Sequence, residues 1–324
     1  MTFTRNSAAF FRTRFFALIV TVLVALFMWA QAPNAHTQNT SSQNKVTGNV
    51  APLRGTLYRI DHQNHSAWLF GTIHVGHTGF YPLEPQVMRA LHEADTLVIE
   101  VDIRKVDALQ KAMKEYAFYR DGKNLSNQLS HDALQKLKDG LREAGVPFDA
   151  VMTMKPWMIA NVLIIQSMAQ SGYPAEQGIE QYFLSIATQE KKSVLELETA
   201  DYQLALFDRM TPAQQEAYLL DTLKDLKSGT GVQKGVSLIQ AWSRADGPAM
   251  ELQKRQMVEE DSASARFTEN VLLNERNPDM ANGIERLIRN KQKIFMAVGT
   301  LHLLGDNSVP ALLKQRGYRV TKIY

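Results

Sequence analysis

Not one of the 324 residues is a cysteine. That excludes a disulfide scaffold, a thiol nucleophile, a cysteine zinc cage and a lipid-anchoring cysteine behind a leader. It suits a periplasmic protein that avoids stray oxidation. An excess of one charge is missing too: the formal net charge of +3 equals Arg5, Arg12 and Arg14, and the other 33 basic residues balance the 33 acidic ones. Without a basic footprint, nucleic acid is not an expected partner. Three catalytic signatures are also lacking: an H-E-x-x-H helix, a G-x-S-x-G elbow and a G-x-x-x-x-G-K-[ST] loop. The run "GTGVQKG" from Gly229 to Gly235 misses the phosphate-loop spacing and reads as a helix C-cap and connector.

What is present begins with a leader. No acidic residue accompanies its three arginines, and "FFALIVTVLVALFMWA" runs from Phe15 to Ala30 without a charge. Residues 1–32 therefore read as a signal peptide or an N-terminal membrane anchor. The small-x-small site Ala30-Gln31-Ala32 favours cleavage, whereas Pro33 disfavours it, so both readings stay open. Arginines ahead of the apolar run place the remainder outside the cytoplasm, periplasmic or tethered to the inner membrane. Residues 33–50, rich in Gln, Asn, Ser and Thr, read as a flexible polar linker. Residues 51–324 form the folded domain, and 45% hydrophobic content suffices for its core.

Both ends of that domain carry β-α-β grammar. "GTLYRI" and "SAWLFGTIH" flank the turn-like "DHQNH" and predict a hairpin; "PQVMRALHEA" predicts a helix and "TLVIEVD" a buried strand. At the other end come "KIFMAVGTLH", the helix "SVPALLKQRG" and the strand "YRVTKIY". The middle is mostly helical. Ser130 caps a helix that stops at Gly145, "KPWMIANVLIIQSMAQSG" reads as a buried helix, "SVLELET" as a short strand, and helices after Ala200 break at "MTP", "KSGTG", "DGP" and "RNPD". The expected fold is α/β, with a central mixed sheet formed by the N- and C-terminal segments and a large helical insert.

The chemistry is expected at the strand ends. "LFGTIHVG" and "AVGTLHLLG" each finish an apolar strand on Gly-Thr-aliphatic-His, and ligand sites of open α/β sheets lie at such carboxyl ends. If the strands are neighbours, His74 and His302 converge, and two histidines plus a carboxylate suit a catalytic divalent metal. Glu100 is the first choice of carboxylate; Asp102 shares its strand and reads as a helix cap, while Glu196 and Glu198 offer the same pairing elsewhere. His77 is a weaker candidate for a supporting partner, and His62, His65, His92 and His131 read as turn or surface residues. Arg276 and Asn277 stand at an expected helix end, where they either cap it or face the site and hold a carboxylate or an oxyanion.

Together with "GIEQYF", "LELETADYQLALFD" and "NERNPDM", these motifs resemble the TraB/PrgY/GumN family, which includes the animal Tiki proteins, over nearly all of residues 52–324. The resemblance implies a relative of the erythromycin-esterase-like and ChaN-like folds. For Tiki proteins it implies a membrane-tethered peptidase using manganese or cobalt. By motif, His74, Glu100 and His302 become the active-site core and the metal ligands, supported by Glu198, Arg276 and Asn277. Many relatives have Gly-Leu-Asp where this chain reads Gly178-Ile179-Glu180, which puts the part played by Glu180 in question.

The expected function is thus an extracytoplasmic metal-dependent hydrolase, a peptidase acting on peptides or an exported protein, with Mn, Co or Zn as cofactor. In it Glu198 or Glu100 moves a proton of water and Arg276 stabilises the oxyanion. Two alternatives use the same residues: a metal-independent His/Glu hydrolase of erythromycin-esterase type, and a peptide- or haem-binding module without turnover.

Overall fold

The structure, a computed structural model, describes residues 52–290 and 293–324. The leader and the polar linker lie outside the described residues.

A six-stranded mixed sheet organises the domain. Strands β1 (Leu57–His62) and β2 (His65–Thr72) form the expected antiparallel hairpin, with Gln63 in the left-handed region at its turn. After β3 (Thr96–Ile99) and β4 (Ser193–Glu196), the chain returns for β5 (Lys293–Gly299) and ends on β6 (Arg319–Lys322). The order is β4-β3-β5-β2-β1-β6. Strands β2, β5, β3 and β4 are mutually parallel, so their carboxyl ends share one edge of the sheet. The terminal segments do lie side by side, β5 between β2 and β3. The helical middle contributes β4 to the sheet as well.

Apolar residues throughout β5 are buried because helices cover both faces of the sheet. The period of two separates the faces. Phe70, Leu97, Phe295 and Ala297 point to one side, against α1 (Pro85–Glu93) and α5 (Ile179–Gln189). Leu69, Val98, Met296 and Val298 point to the other, against α11 (Arg276–Asn290) and α12 (Val309–Gln315).

Between β3 and β5 run α2 (Val106–Tyr116), α3 (His131–Glu143), α4 (Pro156–Gln170), α5, α6 (Ala200–Asp208), α7 (Pro212–Ser228), α8 (Thr230–Ser243), α9 (Gly247–Val258) and α10 (Ala263–Phe267). Helices α3, α4 and α7 enclose a second core of Leu137, Leu141, Trp157, Ile159, Leu163 and Leu219. Ser130 caps α3 as expected, accepting from the Ala133 N–H. Helix α4 is buried along most of its surface, and among the described residues no helix is long and apolar enough to cross a membrane.

Three local expectations are corrected. "RNPD" is no break: a π-helix over Thr268–Glu275 runs straight into α11, whose first turn accommodates Pro278. Proline there has no N–H to offer the Asn274 carbonyl, and the wider π pattern just before it absorbs the mismatch. Asp102 does not cap α2, whose N-cap is Lys105; it pairs with Arg104, 2.8 Å from Nε to Oδ1 and 2.6 Å from Nη2 to Oδ2. Within "GTGVQKG", Gly229 is the left-handed cap of α7, yet α8 starts at the next residue, leaving no connector.

Candidate active site at the strand ends

The two Gly-Thr-aliphatic-His units meet with a stagger of one residue: Thr72 pairs with Gly299, and Gly71 with Val298. His74 therefore sits two residues past its strand. His302 sits three past its own, on a short 3-10 turn. The repeated motif is consequently asymmetric in space, with His302 buried and the His74 side chain 71% exposed.

Gly299 marks where they converge. A β-carbon there would lie 3.1 Å from Glu100 Oε1, 3.6 Å from His302 Cδ2 and 3.7 Å from His74 Nε2. His302 Nε2 is 4.0 Å from Glu100 Oε1, and the Gly299 N–H donates to that same oxygen at 2.5 Å. Only the missing side chain of Gly299 lets three functional groups face one small space.

Each histidine has its far nitrogen occupied. Asn277 Nδ2 donates to the Asn307 carbonyl at 2.7 Å, which turns its Oδ1 toward His302 Nδ1 at 2.6 Å. His302 must then carry its proton on Nδ1 and present an unprotonated Nε2 to the site. His74 Nδ1 lies 2.9 Å from Glu180 Oε1, an oxygen that also accepts from the Thr72 hydroxyl.

Behind these groups lies a buried charge cluster. Arg276 donates from Nε and Nη2 to Glu198, at 2.9 Å and 2.7 Å, and from Nη2 to Glu100 Oε2 at 2.6 Å. Gln203 on α6 donates to Glu198 Oε2 at 2.7 Å and to Glu100 Oε2 at 3.3 Å. Burial opposes the charge on Glu100, but Arg276, the two histidines and the Gly299 N–H outweigh it and hold its carboxyl well below the usual range. Burial, aided by Arg276 and opposed by Glu100, pushes His302 down to about 3. The Glu180 carboxylate pushes His74 up to about 9 against desolvation, although a ring this exposed is also screened by solvent.

The six residues singled out from sequence are thus together, with two roles altered. Arg276 neither caps a helix C-terminus nor faces open solvent: it begins α11, buried against two carboxylates. Both oxygens of Glu198 already accept from Arg276 or Gln203, so its carboxylate holds that cation in place and is not free to relay a proton. Elsewhere, Glu196 turns away to the Asp102 N–H and Lys105, and His77 caps a 3-10 turn by accepting from the Gly79 N–H. Thr72, Glu180 and Gln203 are the contacts that sequence reasoning missed or left in question. For Glu180 the available signal was Gly178, whose β-carbon would stand 2.5 Å from the His74 carbonyl oxygen.

An α/β sheet with a strand-end pair of histidines over a buried Glu-Arg-Glu cluster defines the class of protein. The sequence profile of the TraB/PrgY/gumN family matches residues 56–322, and the chain belongs to that family. It is 26% identical to the uncharacterized protein YbaP of Escherichia coli K12 over 273 residues, covering 80% of this chain and 97% of that one. Against YbaP of Shigella flexneri the identity is 27% over 251 residues, covering 78% and 89%. More distantly, it is 23% identical to the metalloprotease TIKI2 of Xenopus tropicalis over 353 aligned positions, covering 94% of this chain and 66% of that protein.

Proposed function

We propose that this protein is a metal-dependent hydrolase working outside the cytoplasm on peptides or an exported protein. One observation carries the reading: His74 Nε2, the His302 ring and Glu100 Oε1 surround the space left by Gly299, while the Nδ1 atom of each histidine is held from behind. Histidine-and-carboxylate sets with outer hydrogen-bond partners are typical of catalytic metal sites. The relationship to TIKI2, which is named a metalloprotease, supports the same class.

Charge balance tests the fit. Glu100, Glu198 and Glu180 bring three negative charges, and Arg276 returns one. With both histidines neutral, as ligation requires, the cluster lacks two positive charges, which a divalent ion supplies. Among the described residues, no three His, Asp or Glu side chains form a ready cage, so the fit rests on donor identity and charge.

His74, His302 and Glu100 would hold Mn²⁺, Co²⁺ or Zn²⁺, which supplies a Lewis acid that acidifies water and polarises a carbonyl. Asn277 orients the His302 imidazole, and Arg276 keeps Glu100 ionised and aimed. The exposed His74 side opens to solvent, where substrate enters; buried His302 closes the back. The charge-free run from Phe15 to Ala30 behind three arginines, read as a signal peptide or a membrane anchor, supports action on extracytoplasmic substrates.

The purified protein, with Mn²⁺ or Co²⁺ supplied, should bind about one equivalent of metal and cleave members of a mixed peptide library, with both properties lost in His74→Ala/His302→Ala. Absence of metal binding in the wild type overturns the reading. A second reading draws on the His74–Glu180 pair at 2.9 Å, an imidazole and a carboxylate that together would exchange a proton with water without metal. Hydrolysis that survives EDTA yet is lost in His74→Ala would select it.

A further inference from the structure

The repeated Gly-Thr-aliphatic-His unit uses its two threonines differently. Thr300 directs its hydroxyl to the Met250 sulfur at 3.8 Å, within the core. Thr72 instead donates to Glu180 Oε1, the oxygen that faces His74 Nδ1. We propose that Glu180, held by Thr72, is the positioning residue that fixes the proton of His74 on Nδ1 and so presents its Nε2 lone pair to the space shared with Glu100 and His302. The proposal deepens the metal-dependent reading and rests on it for the ligand, while its geometric claim concerns the chain alone.

The backbone around Glu180 is built to this end. Segment 174–180 is stitched to the His74 loop on both sides, through Gly76 N–H to the Pro174 carbonyl at 3.1 Å and Ile179 N–H to the Ile73 carbonyl at 3.1 Å. Gly178 permits that approach, since its β-carbon would meet the His74 carbonyl oxygen at 2.5 Å. Helix α5 starts immediately after, which places Glu180 in its first turn with the carboxylate toward the loop. The exposed ring of His74 lacks the packing that surrounds His302, so a hydrogen bond must supply the orientation that burial supplies there.

The difference in partner chemistry also follows from burial. His302 is enclosed and takes a neutral acceptor, the Asn277 amide, so that no further charge is buried with it. The His74 ring reaches solvent, and Glu180, with 17% of its side chain exposed and the Thr72 hydroxyl on the same oxygen, keeps its charge only partly buried. A charged acceptor strengthens ring basicity and ligation more than a neutral one.

The test compares Glu180→Met, Glu180→Gln and wild-type full chain in detergent. Imidazole ¹⁵N NMR of the metal-free protein is recorded at a pH where the His74 ring is neutral, Mn²⁺ and Zn²⁺ binding is followed by calorimetry, and thermal unfolding is the control. Glu180→Met is expected to leave His74 as a tautomer mixture, keep the His302 spectrum unchanged and weaken metal binding by about 10- to 100-fold. Glu180→Gln, which keeps an acceptor without the charge, should retain the Nδ1–H form and show an intermediate loss. Wild-type tautomer and affinity in Glu180→Met overturn the proposal; if that variant does not fold, undiminished affinity in Glu180→Gln overturns it. Should the wild type bind no metal, the metal-dependent reading fails by itself, and the His74 spectrum alone decides the role of Glu180.

Discussion

Arg276 donates from Nη2 to Glu100 Oε2 at 2.6 Å, with each side chain only 9% exposed. The same nitrogen reaches Glu198 Oε2 at 2.7 Å, so one guanidinium ties the ends of β3 and β4 to the start of α11. Its planar fork suits two carboxylates at once, which a lysine ammonium does not match.

Arg276→Met would leave two buried carboxylates uncompensated. A loss of about 3–5 kcal/mol is expected, the usual cost of breaking a buried pair from one side. Arg276→Lys should fall between the variant and the wild type. Urea denaturation followed by circular dichroism measures both.

Acid should destabilise the metal-free protein. His302 takes up a proton near 6.5 when unfolded and near 3 when folded, so between those values the unfolded chain binds more protons and stability is lost as pH falls. Glu100 adds a loss of the same sign as pH drops below its ordinary 4.5. His74 runs the other way: its raised value contributes stability that is full below 6.5 and lost as pH rises through about 9, a slope shallowed by solvent screening. Urea midpoints taken between about pH 7 and pH 5 in EDTA should decline, and His302→Gln should flatten the decline. A wild-type profile that is level across this window contradicts the burial of a neutral His302.

Gly299→Ala is a compact probe of the site. Its backbone, φ −53° and ψ 134°, accepts alanine, but the new methyl would stand 3.1 Å from Glu100 Oε1 in the space that the three groups face. Overpacking of about 1–3 kcal/mol is expected. Loss of metal binding and peptide cleavage should be far more severe than this, as calorimetry and a peptide assay would show; intact binding would place the metal elsewhere.

Trp242 links the insert to the first histidine loop. Its indole donates to the Gly71 carbonyl at 2.8 Å, and its own carbonyl accepts from the Gly55 N–H at 2.7 Å. Trp242→Phe keeps much of the packing against Phe70 and Phe80 while orphaning a buried acceptor, at a cost of about 1–3 kcal/mol. Trp242→Ala adds a cavity and should cost about 3–5 kcal/mol. Thermal unfolding ranks the two.

Much of the architecture was legible from local pattern. The β1–β2 hairpin, the Ser130 cap and the Gly229 stop arise from turn and capping chemistry within a few residues, and "KIFMAV" has the continuous apolar character of a strand covered on both faces. "RNPD" misled because proline usually ends a helix, whereas this one falls in a first turn behind a π segment. Asp102 misled because a cap and an ion pair with Arg104 look alike in sequence.

Sequence by itself determined the strand and helix alternation and the paired histidines behind glycines, because each depends on hydrophobic period or on residues adjacent in the chain. Tertiary structure alone decided how those histidines differ. Their strands pair one residue out of register, so His302 is enclosed beside Asn277 and His74 is left exposed beside Glu180. It alone decided that Arg276 would serve two carboxylates far away in sequence. Partners such as these are chosen by the sheet order, which brings the ends of β2, β3, β4 and β5 to one edge, and no local pattern of side chains encodes which charge will face which.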